Sequence, residues 1–138
     1  MSTPLKHPGI EMTLIVDPDS VDGKLCAYEE KTDVNGGPPL HIHHCQHEIF
    51  QVFEGQYRFH LEGEERLLGP GETVVVRPGQ AHTFKAVSPH GARMRFDLIP
   101  ALKSTEFFAM LPQVIKDGGD VPALFQQFDS ELVGPPLS

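Results

Sequence analysis

Leu40-His41-Ile42-His43-His44-Cys45-Gln46-His47-Glu48 is the stretch on which the reading of this chain turns. In a β-strand, side chains alternate between faces, so His41 and His43 project from the same side. The following Glu48-Ile-Phe-Gln-Val-Phe-Glu54 also reads as a strand, and it closes at Gly55. The four residues between the two strands form a tight connection. Glu48 then returns toward the pair of histidines at the start of the second strand. Further along, His82 follows the turn-rich Arg77-Pro-Gly-Gln-Ala81, just after the apolar run 73–76. Three imidazoles and one carboxylate suit a borderline divalent transition metal. Four such ligands leave coordination positions open, which is what separates a catalytic metal from a structural one.

The chain has other histidines to weigh against this set: His7, His44, His47, His60 and His90. His44 and His47 have the opposite parity to the ligand positions and are expected to face solvent or a subunit interface. His60 alternates with Tyr57, Phe59 and Leu61 and is expected on the outer face. His7 and His90 fall in apparent loops. Cys45, inside the ligand loop, reads as a small apolar filler.

Outward from the histidines, short apolar runs are punctuated by turn residues, with 13 Gly and 13 Pro in 138 residues. Such spacing predicts an all-β sandwich or barrel. Residues 9–16 read as an early strand able to pair with a partner subunit, and 21–30 as a second strand. The segment 55–63 alternates cleanly, and Glu62-Gly63-Glu64 reads as a hairpin turn. Val74, Val75 and Val76 suggest burial on both faces. Met94, Phe96 and Leu98 alternate with Arg93, Arg95 and Asp97, placing the apolar set inward. After Pro100 the pattern becomes helical, with Phe107, Phe108 and Leu111 clustered. A second short helix follows Asp120, a good N-cap, with Pro122 in its first turn. These helices are expected to cover a sheet edge, with a lid over the mouth of the fold as the other reading. The organisation is one domain: an arm over 1–20, a barrel over 21–100 and a helical extension over 101–138.

The two histidine-bearing segments resemble the motifs of the cupin superfamily. The first family motif is matched by Gly36-Gly-Pro-Pro-Leu-His41-Ile-His43-His-Cys-Gln-His-Glu48 and, six residues on, Gly55. The second is matched by Gly71, Pro78-Gly79 and His82; Arg77 stands where the family has a proline and Ala86 where it has a non-ligating asparagine. The resemblance spans about residues 20–100 and is nearest to small single-domain cupins of the quercetin (flavonol) dioxygenase kind. It implies a cupin-type β-barrel (double-stranded β-helix, or jelly roll) with short C-terminal helices. It also implies a metal held by His41, His43, Glu48 and His82, and a homodimer, which the outward Ile49, Gln51 and Phe53 support.

The expected pocket lining is Phe50, Val52, Tyr57, Phe59, Phe84, Met94 and Phe96, an apolar surface suited to a small aromatic or diketone-like substrate. Iron or manganese is the favoured cofactor, with zinc, nickel and copper as alternatives. Glu48 is the candidate catalytic residue, ligating the metal and accepting a substrate proton. Dioxygenase chemistry is the first reading. Redox-neutral isomerase, lyase or polyketide-cyclase chemistry is the second, and non-catalytic binding of a metal or small ligand the third. The formal net charge of −8 argues against nucleic acid as a partner. No apolar run is long enough to span a membrane. Two cysteines and an N-terminus without an apolar leader predict a cytoplasmic protein with free thiols.

Overall fold

The computed structural model describes residues 3–138; Met1 and Ser2, the first two residues of the stretch read for a leader, lie outside them. Among the described residues the fold has eleven strands and two α-helices. These are β1 (Leu5–His7), β2 (Ile10–Val16), β3 (Cys26–Thr32), β4 (Pro39–His43), β5 (His47–Glu54), β6 (Tyr57–Leu61), β7 (Glu64–Leu68), β8 (Thr73–Val76), β9 (His82–Ala86), β10 (Ala92–Ile99), α1 (Ser104–Lys116), α2 (Val121–Gln127) and β11 (Ser130–Pro136). They form two antiparallel sheets facing each other, a six-stranded one in the order β1-β2-β3-β10-β5-β8 and a five-stranded one in the order β11-β4-β9-β6-β7. This is the jelly roll expected of the sequence, with one correction. The two sheets are not hydrogen-bonded to each other among the described residues, so the barrel is not closed.

Alternation sets which side chains enter the space between the sheets. β10 is the clearest case: Ala92, Met94, Phe96 and Leu98 are buried, while the residues between them are partly exposed. Phe50 and Val52 on β5 and Tyr57 and Phe59 on β6 meet them from both sheets. Phe59 stacks on Phe84 of β9 with ring centroids 5.6 Å apart, and each buried phenylalanine contributes about 1.5–3 kcal/mol of transfer free energy. The hairpin between β6 and β7 turns at Glu62 and Gly63, both at positive φ, as a two-residue loop between strands of right-handed twist requires.

Several expectations are corrected. The stretch 21–30 is not one strand: a 3-10 turn over Pro18–Val21, capped by the Asp17 carboxylate, precedes it, and β3 begins only at Cys26. β8 buries only Val74 and Val76, because it is an edge strand with an open outer face; Val75 is 49% exposed. His7 belongs to β1 rather than to a loop. β2 pairs within its own chain, with β1 and β3. β11 had no counterpart in the sequence reading; it pairs with β4, the strand of the two motif histidines.

The helices join the two sheets at one end. α1 packs on the edge strand β1 and α2 on the edge strand β11. Asp120 caps α2 by accepting the Ala123 N–H at 3.0 Å. Phe107 and Phe125 meet edge to face at 4.9 Å and lock the two helices together. The helices thus cover an edge of each sheet, as expected, and in doing so close the space between the sheets.

Candidate metal centre

Local backbone constraints aim the four side chains. The chain from Asn35 to Pro38 is pinned along β9: Asn35 N–H donates to Ala86 O, Ala86 N–H to Gly36 O, and the Thr83 hydroxyl to Pro38 O. Gly37 makes this approach possible, since a Cβ there would stand 1.9 Å from the Phe84 carbonyl oxygen. β4 therefore enters beside β9, with His41 directly opposite His82. The second motif is tied to the first by Gly79 N–H donating to His43 O at 2.9 Å, with Gly79 at φ +85°. Glu48 arrives from the other sheet, on β5 between Leu98 and Val76.

The structure brings His41, His43, Glu48 and His82 together: one ligand atom from each lies within 4.8 Å of the others, and all four residues are buried. The His41 and His82 rings are 4.3 Å apart. His43 Nε2 and His82 Nε2 approach the same Glu48 oxygen, Oε1, at 3.1 and 3.0 Å.

The outer nitrogens decide what the inner ones can do. His41 Nδ1 lies 2.8 Å from Pro39 O and His82 Nδ1 3.0 Å from Gln80 O. Carbonyl oxygens only accept, so both Nδ1 atoms carry hydrogen. His43 Nδ1 lies 3.0 Å from Ser130 Oγ, whose own hydrogen points to Phe128 O. Ser130 therefore accepts from His43, and this Nδ1 is protonated too. All three rings are left with Nε2 as the site for a proton or a cation, the arrangement by which outer partners orient metal-binding histidines. Nitrogen lone pairs facing a carboxylate oxygen at 3.0 Å need a positive charge between them. The donor set fits a divalent transition metal on that ground.

Electrostatics agree. Burial, with the neighbouring His82 and His43, holds His41 neutral well below the ordinary imidazole range. For Glu48, burial alone would raise the carboxyl, but His43 and His82 outweigh it and hold it well below the usual carboxylate range. The group is ionised, as a ligand must be.

Beside the cluster is a cavity of about 70 Å³ lined by His41, His43 and Glu48. Of the residues expected to line it, Phe50, Phe84 and Phe96 do so. Val52, Tyr57, Phe59 and Met94 do not; they are buried deeper, packing the sheets against each other. Phe107, Phe108, Leu111 and Phe125 from the helices complete the apolar wall. The sequence reading missed three polar residues here. Ser130 orients His43. Glu30 and His7 line the cavity.

The remaining candidates lie apart from the cluster. His44 is exposed and pairs with Glu131 at 3.3 Å, and His47 is exposed on the outer face of β5. His60 is partly exposed and His90 exposed. Cys45 is exposed, not a filler, and both cysteines are free. No helix among the described residues is long and apolar enough to cross a membrane.

The family model for the cupin domain matches residues 28–99. The chain belongs to the cupin family. It is similar in structure to KdgF from Halomonas sp., with 25% identity and a TM-score of 0.63 over 72% of this chain and 87% of that one. A predicted oxalate decarboxylase from Thermotoga maritima matches with 18% identity and a TM-score of 0.68, over 72% and 93% of the two chains. The polyketide cyclase RemF from Streptomyces resistomycificus matches with 24% identity and a TM-score of 0.60, over 71% and 73%. The last two likenesses speak to the fold alone. No curated protein matches the chain significantly.

Proposed function

We propose that this cupin is a metal-dependent enzyme acting on a small aromatic or diketone-like substrate by dioxygenase-type chemistry. The observation that carries the reading is the convergence of three Nε2 lone-pair positions and one ionised carboxylate beside a cavity walled by phenylalanine. His41, His43, Glu48 and His82 would hold the ion, and iron or manganese suits a mixed imidazole and carboxylate set with open positions. When bound, the metal supplies a Lewis acid for a substrate oxygen and a redox centre.

The chain's own residues do the rest. Phe50, Phe84 and Phe96 offer flat apolar surface to a planar ring. Phe107 and Phe125 on the helices keep water from the cavity, which strengthens charge effects within it. Glu48 presents Oε1 to the two imidazoles, and Oε2 has no hydrogen-bond partner among the described residues. Oε2 is the atom at which a substrate proton is accepted.

One observation favours redox-neutral chemistry as the second reading. The ionised Glu48 carboxylate, buried at the cavity wall, is a proton acceptor sufficient for isomerisation or cyclisation of a hydroxy-carbonyl substrate without oxygen. An oxygen electrode separates the two. Iron-loaded protein given a panel of single-ring catechols and small β-diketones is expected to consume oxygen in step with substrate loss. Substrate loss at background oxygen consumption would replace the first reading with the second. No substrate loss with any metal would leave only a binding protein.

A further inference from the structure

Glu30 is buried at 3% exposure on the inner face of β3, paired with Met12 on one side and Met94 on the other. One of its oxygens is committed: Oε2 accepts the Thr32 hydroxyl at 2.6 Å, and Thr32 Oγ1 in turn lies 2.8 Å from the Tyr57 hydroxyl. Thr32 has a single hydrogen, so Tyr57 donates to it. The other oxygen, Oε1, has no partner among the described residues, and Glu30 lines the same cavity as the imidazole cluster. A buried carboxyl without a cation beside it is costly unless it keeps its proton. None of the described cavity-lining residues is Lys or Arg, and burial holds His7, which also lines the cavity, toward its neutral form.

Register gives the separation. On β10, Leu98 pairs with Glu48 and Met94 with Glu30. The two carboxyls are thus offset by four residues, about 13 Å along the strand direction, and by two strand spacings, about 10 Å across it. The cavity has a polar pole at each end and aromatic walls between. Its volume of about 70 Å³ admits at most a single ring.

We propose that Glu30, through its free Oε1, is a specificity-determining residue that donates a hydrogen bond to a carbonyl oxygen of the substrate at the end of the cavity away from the imidazoles. The ligand class that follows is a planar single-ring compound with a hydroxyl at one end and an uncharged carbonyl at the other. A ligand with a carboxylate or phosphate at that end is excluded, because it would face Glu30 without a countercharge. The inference rests on the reading of the imidazole cluster as a metal site that takes the hydroxyl.

Two probes of similar size test it, 4-hydroxybenzaldehyde and 4-methylphenol, titrated calorimetrically into zinc-loaded protein. Wild type is expected to bind the aldehyde about tenfold more tightly, the worth of one good buried hydrogen bond. Glu30→Met is expected to bind both alike. Glu30→Gln, whose amide still donates from the same place, is expected to restore most of the preference. The infrared carbonyl stretch of the bound aldehyde is expected to fall in wild type and Glu30→Gln, and to stay at its apolar-solvent position in Glu30→Met. The wild-type spectrum stands even where a variant fails to fold. Equal binding of both probes to wild type with an unshifted stretch overturns the role of Glu30 and leaves the metal reading intact. Failure of both probes to bind overturns both.

Discussion

Glu48 and Glu30 are two carboxyls on the inner face of the same sheet, 4% and 3% exposed, in opposite states. Burial pushes Glu30 up to about 8, with the charge of Glu48 adding to the shift against the single Thr32 hydrogen bond. The same burial acts on Glu48, but two imidazoles reverse its effect. Depth in the core therefore does not set the charge of a group here; the partners do. Carboxyls whose environments drive them apart mark the acid and base ends of a site.

The comparison breaks most visibly at Glu48. Glu48→Gln is expected to abolish metal retention and to destabilise the metal-free protein by about 3–5 kcal/mol at neutral pH, since it removes one side of a buried charged cluster. Urea unfolding of metal-free protein measures it. The Glu48 carboxyl is depressed in the fold, so its contribution is present above the ordinary carboxylate range and is lost only as pH falls below it.

Glu30→Gln is expected to act in the opposite direction. The unfolded group ionises near 4.5 and the folded one near 8. Wild type is thus most stable, as far as this group is concerned, below pH 4.5, and it loses stability between 4.5 and 8 at up to about 1.4 kcal/mol per unit. The glutamine variant lacks that slope and gains on wild type as pH rises. Parallel pH profiles for the two proteins would mean that Glu30 is ionised in the fold.

Much of the imidazole pole was legible in the sequence, and little of the Glu30 pole. Parity alone puts His41 and His43 on one face, and the turn at Pro78-Gly79 makes the return of His82 readable. Glu30 hides in the charged run Glu29-Glu30-Lys31, which looks like solvated surface. The available signal was its parity with Tyr28 and Thr32, both buried. Reading 21–30 as a single strand ended that strand at Glu30 and obscured the alternation. Ser130 was missed for another reason. Gly134-Pro135-Pro136 resembles an irregular tail, yet prolines are tolerated there because β11 is an edge strand. The jelly roll was legible, but its open seam was not, because strand patterns say how residues alternate and not whether the outermost strands of two sheets meet.

A smaller effect sharpens the contrast further. Ser130→Ala removes the acceptor that holds His43 Nδ1 and is expected to weaken metal binding about 10- to 100-fold. Competition with a chromogenic chelator reads this directly. An unchanged affinity would mean that the His43 ring is oriented by packing alone.

The central claim is that three imidazoles and one carboxylate form a single metal site, and metal counting tests it most directly. Protein purified without a nickel column, loaded with excess metal, desalted and analysed by mass spectrometry is expected to hold one divalent ion per chain. His82→Ala, prepared alongside, is expected to lose the ion while its circular dichroism spectrum stays unchanged. A wild type that emerges without metal, or a folded His82→Ala that retains a full equivalent, would contradict the account.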